Sequence, residues 1–187
     1  MKNRFTEKHP PRSSRSHPVP GLESGSGVKL EKSITINYPP DEIYAFWRNL
    51  ENLPRFMGHL QSVTQTSDIF SHWVIKTEKG KSLEWDARII EDQPPRMISW
   101  QSLPGSDVDN AGSVWFTPAH GGRGTVVKVQ IKYSPPGGKV GAAIARMLGD
   151  SAEKQIASDL YQLKSLLEAG EIPTVEGQSH GDPRSKS

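Results

Sequence analysis

The chain contains no cysteine. That absence removes disulfides, thiolate nucleophiles and zinc–thiolate centres together, and it fits a reducing, cytoplasmic setting. No apolar run approaches the roughly 18 residues needed to cross a bilayer. The N-terminal stretch lacks the hydrophobic segment of a secretory signal, so neither a transmembrane anchor nor a signal is expected. Strong charge of one sign is also missing, since the formal net charge is +2. Even that excess is local. Residues 1–27 carry Lys2, Arg4, Lys8, Arg12 and Arg15 against Glu7 and Glu23, a net +3 that leaves −1 for the rest. The remainder has no basic footprint for nucleic acid.

The motifs of several enzyme classes are absent as well. There is no Gly-x-Ser-x-Gly elbow, no His-x-x-x-His spacing for a metal, and no phosphate-cradling loop that leads into a helix. Gly121-Gly122-Arg123-Gly124 has the composition of such a loop, but it joins two strand patterns and reads as a hairpin turn. No cofactor and no metal are therefore expected. His9 and His17 are too isolated to be ligands.

What the chain does have is one long apolar stripe near its end. Val140, Ile144, Met147 and Leu148 fall on one helical face, and Ile156, Leu160, Leu163 and Leu167 fall on another. The two sets differ in phase by roughly 145° at 100° per residue. A single straight helix would expose half of them. The expectation is a long C-terminal helix kinked at Gly149, with Asp150 capping the second segment and Glu153 three residues on. Such a stripe needs an apolar partner surface.

The residues before it supply one. Residues 1–27 and 173–187 are rich in Pro, Ser, Gly and charge and are predicted to be disordered, which leaves a single domain over 28–172. The basic N-terminal tail reads as a solvated linker or as a weak electrostatic tether to the acidic lipid of a membrane surface or to nucleic acid. Val28, Leu30, Ile34 and Ile36 form a strand pattern. Pro40-Asp41-Glu42 opens a helix with its acidic residues in the first turn, and Ile43, Phe46, Trp47 and Leu50 make its apolar face. A second short helix is predicted over Leu50–Phe56. Six strands follow: His59–Gln65, Phe70–Thr77, a strand through Leu83, Trp85, Ala87 and Ile89, Met97–Leu103, Gly112–Thr117, and one through Thr125, Val127, Val129, Ile131 and Tyr133. Gly80, Pro94-Pro95 and Pro104-Gly105 turn the chain between them. The fold class is α+β, a curved antiparallel sheet of about seven strands in the order β-α-α-β6-α.

Particular stretches carry a family likeness. They are Ile43-Tyr44-Ala45-Phe46-Trp47-Arg48-Asn49-Leu50-Glu51-Asn52-Leu53-Pro54-Arg55-Phe56-Met57, Leu83-Glu84-Trp85-Asp86-Ala87 and Ser99-Trp100-Gln101-Ser102-Leu103-Pro104-Gly105. Gly124-Thr125 and Asp159-Leu160-Tyr161-Gln162-Leu163-Lys164 come later. Residues 28–172 resemble the helix-grip fold of the START-like (SRPBCC) superfamily, and within it the bacterial polyketide cyclase/dehydrase group. The resemblance implies a pocket between the last helix and the sheet, suited to lipids, isoprenoid quinones, polyketides or hormones. It implies no single activity.

The expectation is a binder of a small hydrophobic ligand, its cavity walled by Trp85, Trp100, Phe116, Val127, Val129, Ile131, Ile144 and Met147. An aromatase/cyclase-like enzyme acting in the same cavity is the alternative, and needs a titratable group inside. His59 and His72 are the weak catalytic candidates, although a lone strand histidine is more often structural. A third reading is a protein-interaction module using Trp115, whose phase places it opposite Val114 and Phe116. Glu84, Asp86 and Arg88 alternate with apolar residues and read as a solvated face.

Overall fold

The computed structural model describes residues 28–76, 82–134 and 152–170. Both tails, the Gly80 turn, the kink at Gly149 and the stripe from Val140 to Leu148 lie outside the described residues, as do the expected wall residues Ile144 and Met147. Strand β1 (Val28–Ile36) leads through Pro39 into helix α1 (Pro40–Arg48). Proline fits the first helical turn because its missing N–H has no partner to lose there. A 3-10 helix then covers Leu50–Arg55. This replaces the second α-helix of the sequence reading. Six residues with Pro54 among them lack the donors for a regular i→i−4 ladder, and the tighter turn results.

Strands β2 (Leu60–Gln65), β3 (Phe70–Lys76), β4 (Ser82–Gln93), β5 (Met97–Ser102), β6 (Asp109–Pro118) and β7 (Thr125–Ser134) form an antiparallel meander. The sheet order is β1-β7-β6-β5-β4-β3-β2, so the first strand closes against the last. Alternation fixes the two faces. On β4, Leu83, Trp85, Ala87 and Ile89 are buried while Ser82, Glu84, Asp86 and Arg88 are exposed. Between Ile89 and Glu91 the β4–β5 register slips, a bulge of the kind that bends a strand.

Two groups cover the inner face. At one end α1 presents Trp47, whose ring lies 5.3 Å from Phe56 and 6.0 Å from Phe116, with Tyr44 edge-on to Phe116 at 5.9 Å. Aromatic edges of this kind add about 0.5–1.5 kcal/mol each beyond burial. Along the other side runs helix α2 (Ala152–Ala169), which buries Ala152, Asp159, Leu160, Leu163 and Leu166. Polar ties hold it over β1. Glu168 accepts from the Asn37 N–H at 2.6 Å, Lys164 donates to the Thr35 carbonyl at 2.8 Å, and Lys32 pairs with Glu153 at 3.1 Å. These ties set alignment more than stability, because exposed ion pairs contribute little.

Two glycines are set by space as well as by conformation. Gly124 has φ +84° and packs against β1, where a Cβ would stand 2.0 Å from the Ile36 carbonyl oxygen. Gly112 on β6 lies under the Trp100 ring.

Candidate ligand cavity

Between α2, the 3-10 helix and the inner sheet face there remains unfilled space of about 140 Å³. Three indoles, Trp73, Trp85 and Trp100, form part of its wall. Trp73 and Trp85 face each other across β3 and β4, stacked at 5.7 Å. Large rings leave gaps where small side chains would have closed over one another, and the sheet curvature keeps the gap open. The volume matches that of a dry apolar cavity of about 150 Å³ that takes up benzene.

The indole of Trp100 extends from β5 over its cross-strand partner Gly112. A Cβ at Gly112 would meet Trp100 Cζ2 at 2.3 Å. Gly112→Ala is therefore expected to lever the ring away from β6 and into the cavity. Overpacking of this kind costs about 1–3 kcal/mol. Urea unfolding followed by tryptophan emission measures it, and an unchanged midpoint would mean that Trp100 moves freely.

Of the eight wall residues taken from the sequence, Trp85, Trp100, Val129 and Ile131 line the cavity. Phe116 and Val127 do not. They pair across β6 and β7 further along the strands, and both are buried in the packed core, where Phe116 meets the rings of α1. Alternation gives the face of a residue but not its distance along the sheet from the gap. Ile144 and Met147 fall outside the described residues.

The polar part of the wall is a pair of side chains brought together from residues 59 and 159. His59 sits in the turn before β2, and Asp159 lies in the middle of the apolar face of α2. His59 Nδ1 is 3.4 Å from Asp159 Oδ2, yet it is buried and makes no hydrogen bond. The Asp159 carboxyl accepts from Gln155 Nε2 at 2.8 Å and from the Gly58 backbone N–H. Asp159 is only 4% exposed. Burial acts on both groups by penalising charge. It lowers the His59 imidazole to about 4 and raises the Asp159 carboxyl to about 7. Burial thus favours the uncharged form of both groups. A neutral imidazole beside a carboxylic acid is a suitable lining for an uncharged guest, and both can exchange a proton.

His72 is on the other side of the sheet. Its Nδ1 lies 2.9 Å from Asp86 Oδ1 and its Nε2 3.5 Å from Glu84 Oε2, all on the outer face. That removes it as a cavity acid or base. Trp115, expected to be exposed, is half-buried, with the Lys128 ammonium 5.9 Å from its ring centroid. Asp159 was missed in the sequence, although a signal was present. Ile156, Asp159, Leu160 and Leu163 stand at i, i+3, i+4 and i+7, so an acidic residue occupies a position of the buried stripe.

Residues 36–160 match the family described as polyketide cyclase/dehydrase and lipid transport. The chain belongs to this family. A Streptomyces lincolnensis relative, an uncharacterized 17.2 kDa protein of the melC2-rnhH intergenic region, is 28% identical over 143 residues. The match covers 75% of this chain and 89% of that one. Among solved structures of the same architecture, DR_A0006 from Deinococcus radiodurans is 34% identical, with a TM-score of 0.64. Their alignment covers 77% of this chain and 99% of that chain. The Zhui aromatase/cyclase from Streptomyces sp. R1128 superposes with a TM-score of 0.58 over 79% of this chain and 99% of its own. At 10% identity that likeness concerns the fold alone. The helix-grip architecture of the family is the one seen here, a seven-stranded curved sheet gripped by a C-terminal helix.

Proposed function

We propose that this domain binds a small hydrophobic ligand in the cavity between α2 and the sheet, without covalent chemistry. The observation that carries the reading is the unfilled space itself, walled largely by aromatic and aliphatic side chains. A lipid, an isoprenoid quinone or a polyketide-like molecule fits such a lining. No helix among the described residues is long and apolar enough to cross a membrane. The lack of cysteine favours the cytoplasm as the setting, and the folded domain's balanced charge argues against nucleic acid as a partner.

Native mass spectrometry of protein purified from its own host, followed by organic extraction, tests this directly. A copurifying apolar molecule of defined mass is the expected result. A bare protein mass together with no affinity for apolar probes would end the reading.

One observation favours a second reading, an aromatase/cyclase-like enzyme in the same cavity. His59 and Asp159 place a base and an acid side by side in the wall, as proton transfer to and from a bound carbonyl compound requires. If the extracted molecule is converted by wild-type protein and not by His59→Ala, this reading replaces simple binding.

A further inference from the structure

We propose that Gly112, which does not itself line the cavity, sets the largest guest the cavity accepts, by leaving room for the Trp100 indole to settle over β6. This rests on the binding reading above. One row of the inner sheet face runs across five strands. Ile89 of β4 pairs with Trp100 of β5, Trp100 with Gly112 of β6, Gly112 with Ile131 of β7, and Ile131 with Leu30 of β1. Ile89, Trp100, Ile131 and Leu30 all line the cavity, and Gly112 alone of the row does not. The row is the cavity floor, with one side chain missing from it.

The gap is filled from the side. A Cβ at residue 112 would stand 2.3 Å from Trp100 Cζ2, 2.7 Å from Cε2 and 2.8 Å from Cη2. The indole therefore occupies the space that the side chain of residue 112 would need. Glycine packs nothing inside a strand, and there it often marks a close approach of another group. Here the group that approaches is the largest side chain of the floor. Backbone in a close-packed sheet has little room to retreat, so any larger residue at 112 must lift the ring into a space of only about 140 Å³. Trp100 touches the guest, and Gly112 is a positioning residue that acts through it.

The n-alkylbenzenes, taken upward from benzene, lengthen by one CH₂ at a time and carry no polar atom. While room remains, each CH₂ raises affinity by about fourfold. Once the cavity is full, the rise stops. Calorimetry locates that stop in the wild type, Gly112→Ala, Trp100→Leu and the double variant. The expected result is that Gly112→Ala stops about one CH₂ earlier than the wild type. It should lose about tenfold in affinity for the longest homologue that the wild type accommodates, and much less for benzene. Trp100→Leu should stop later than the wild type. Adding Gly112→Ala to it should shift the stop far less, because no indole is left to lift. A general loss of stability would lower every affinity together and leave the stop in place. An unchanged stop in Gly112→Ala, or an equal shift in both backgrounds, would overturn the proposal while leaving apolar binding intact. Binding of no alkylbenzene by the wild type would overturn the binding reading and this one with it. If Gly112→Ala does not fold, the two leucine variants decide: no later stop in Trp100→Leu, or an earlier one when alanine is added to it, would overturn the proposal.

Discussion

Asp159→Asn is expected to make the domain more stable at pH 8 than the wild type, by roughly 4 kcal/mol, and to leave it about equally stable near pH 4. The carboxyl titrates at 3.8 in the unfolded chain and at about 7 in the fold, because burial disfavours its charge. Between those values the folded state holds a proton that the unfolded state has lost. The stability present below pH 4 therefore disappears as pH rises through 7, and above 7 the protein keeps a carboxylate in an apolar wall. Each pKa unit corresponds to 1.36 kcal/mol, which gives roughly 4 kcal/mol for the whole interval. Asparagine keeps the shape and cannot ionise. His59 acts in the opposite sense. Its imidazole falls from 6.5 to about 4, so its contribution grows as pH rises from 4 to 6.5 and is complete above that. In the wild type the two slopes oppose each other over pH 4–6.5. The asparagine variant exposes the histidine slope alone, and its stability rises across that window. Urea unfolding of both proteins at half-unit pH steps measures this, and a gap that stays constant with pH would mean that Asp159 is not buried as described.

Gly124→Ala is the second large effect, a loss of about 3–5 kcal/mol. Two costs combine. A non-glycine residue at φ +84° is strained by about 1–3 kcal/mol. The new Cβ also meets backbone on the neighbouring strand, at 2.0 Å from the Ile36 carbonyl oxygen and 2.7 Å from Asn37 Cα. Backbone cannot rotate aside as a side chain does, so β1 and the start of β7 must separate. That junction also holds the Thr125 hydroxyl, which donates to the Tyr38 carbonyl at 2.7 Å. Loss on this scale lies in the tail of single-substitution effects. Chemical denaturation of Gly124→Ala beside Gly121→Ala separates strain from collision, since Gly121 has φ +75° with only the tip of the Arg123 side chain nearby at 3.9 Å. Equal losses in both variants would show that the close approach to β1 carries no weight.

Local patterns in the sequence explain why the strands and helices were legible. Leu83, Trp85, Ala87 and Ile89 alternate so regularly that the inner face of β4 follows from residue type, and Ile156, Leu160 and Leu163 define the face of α2 in the same way. The pairing of β1 with β7 was not legible, because it depends on partners far apart in the chain. Position along a strand was hidden too: Phe116 and Val127 have the right face and the wrong depth. Asp159 illustrates a third limit. Its place in the helical stripe was visible, but its environment depends on His59 and Gly58, which no local pattern connects to it.

The β1–β7 closure also bears on how the protein comes into being. Lys164 and Thr35, joined in the fold, are 129 positions apart in the chain. β1 leaves the ribosome first and must wait for β7 and then α2. Until β7 emerges β1 has no strand to pair with, and until α2 emerges part of the inner sheet face lies open. Closure at such range is slow compared with local folding, on the order of milliseconds to seconds. An unpaired strand beside exposed indoles is a site for wrong association in the meantime. α2 is therefore the piece whose synthesis covers the remaining apolar face of the sheet.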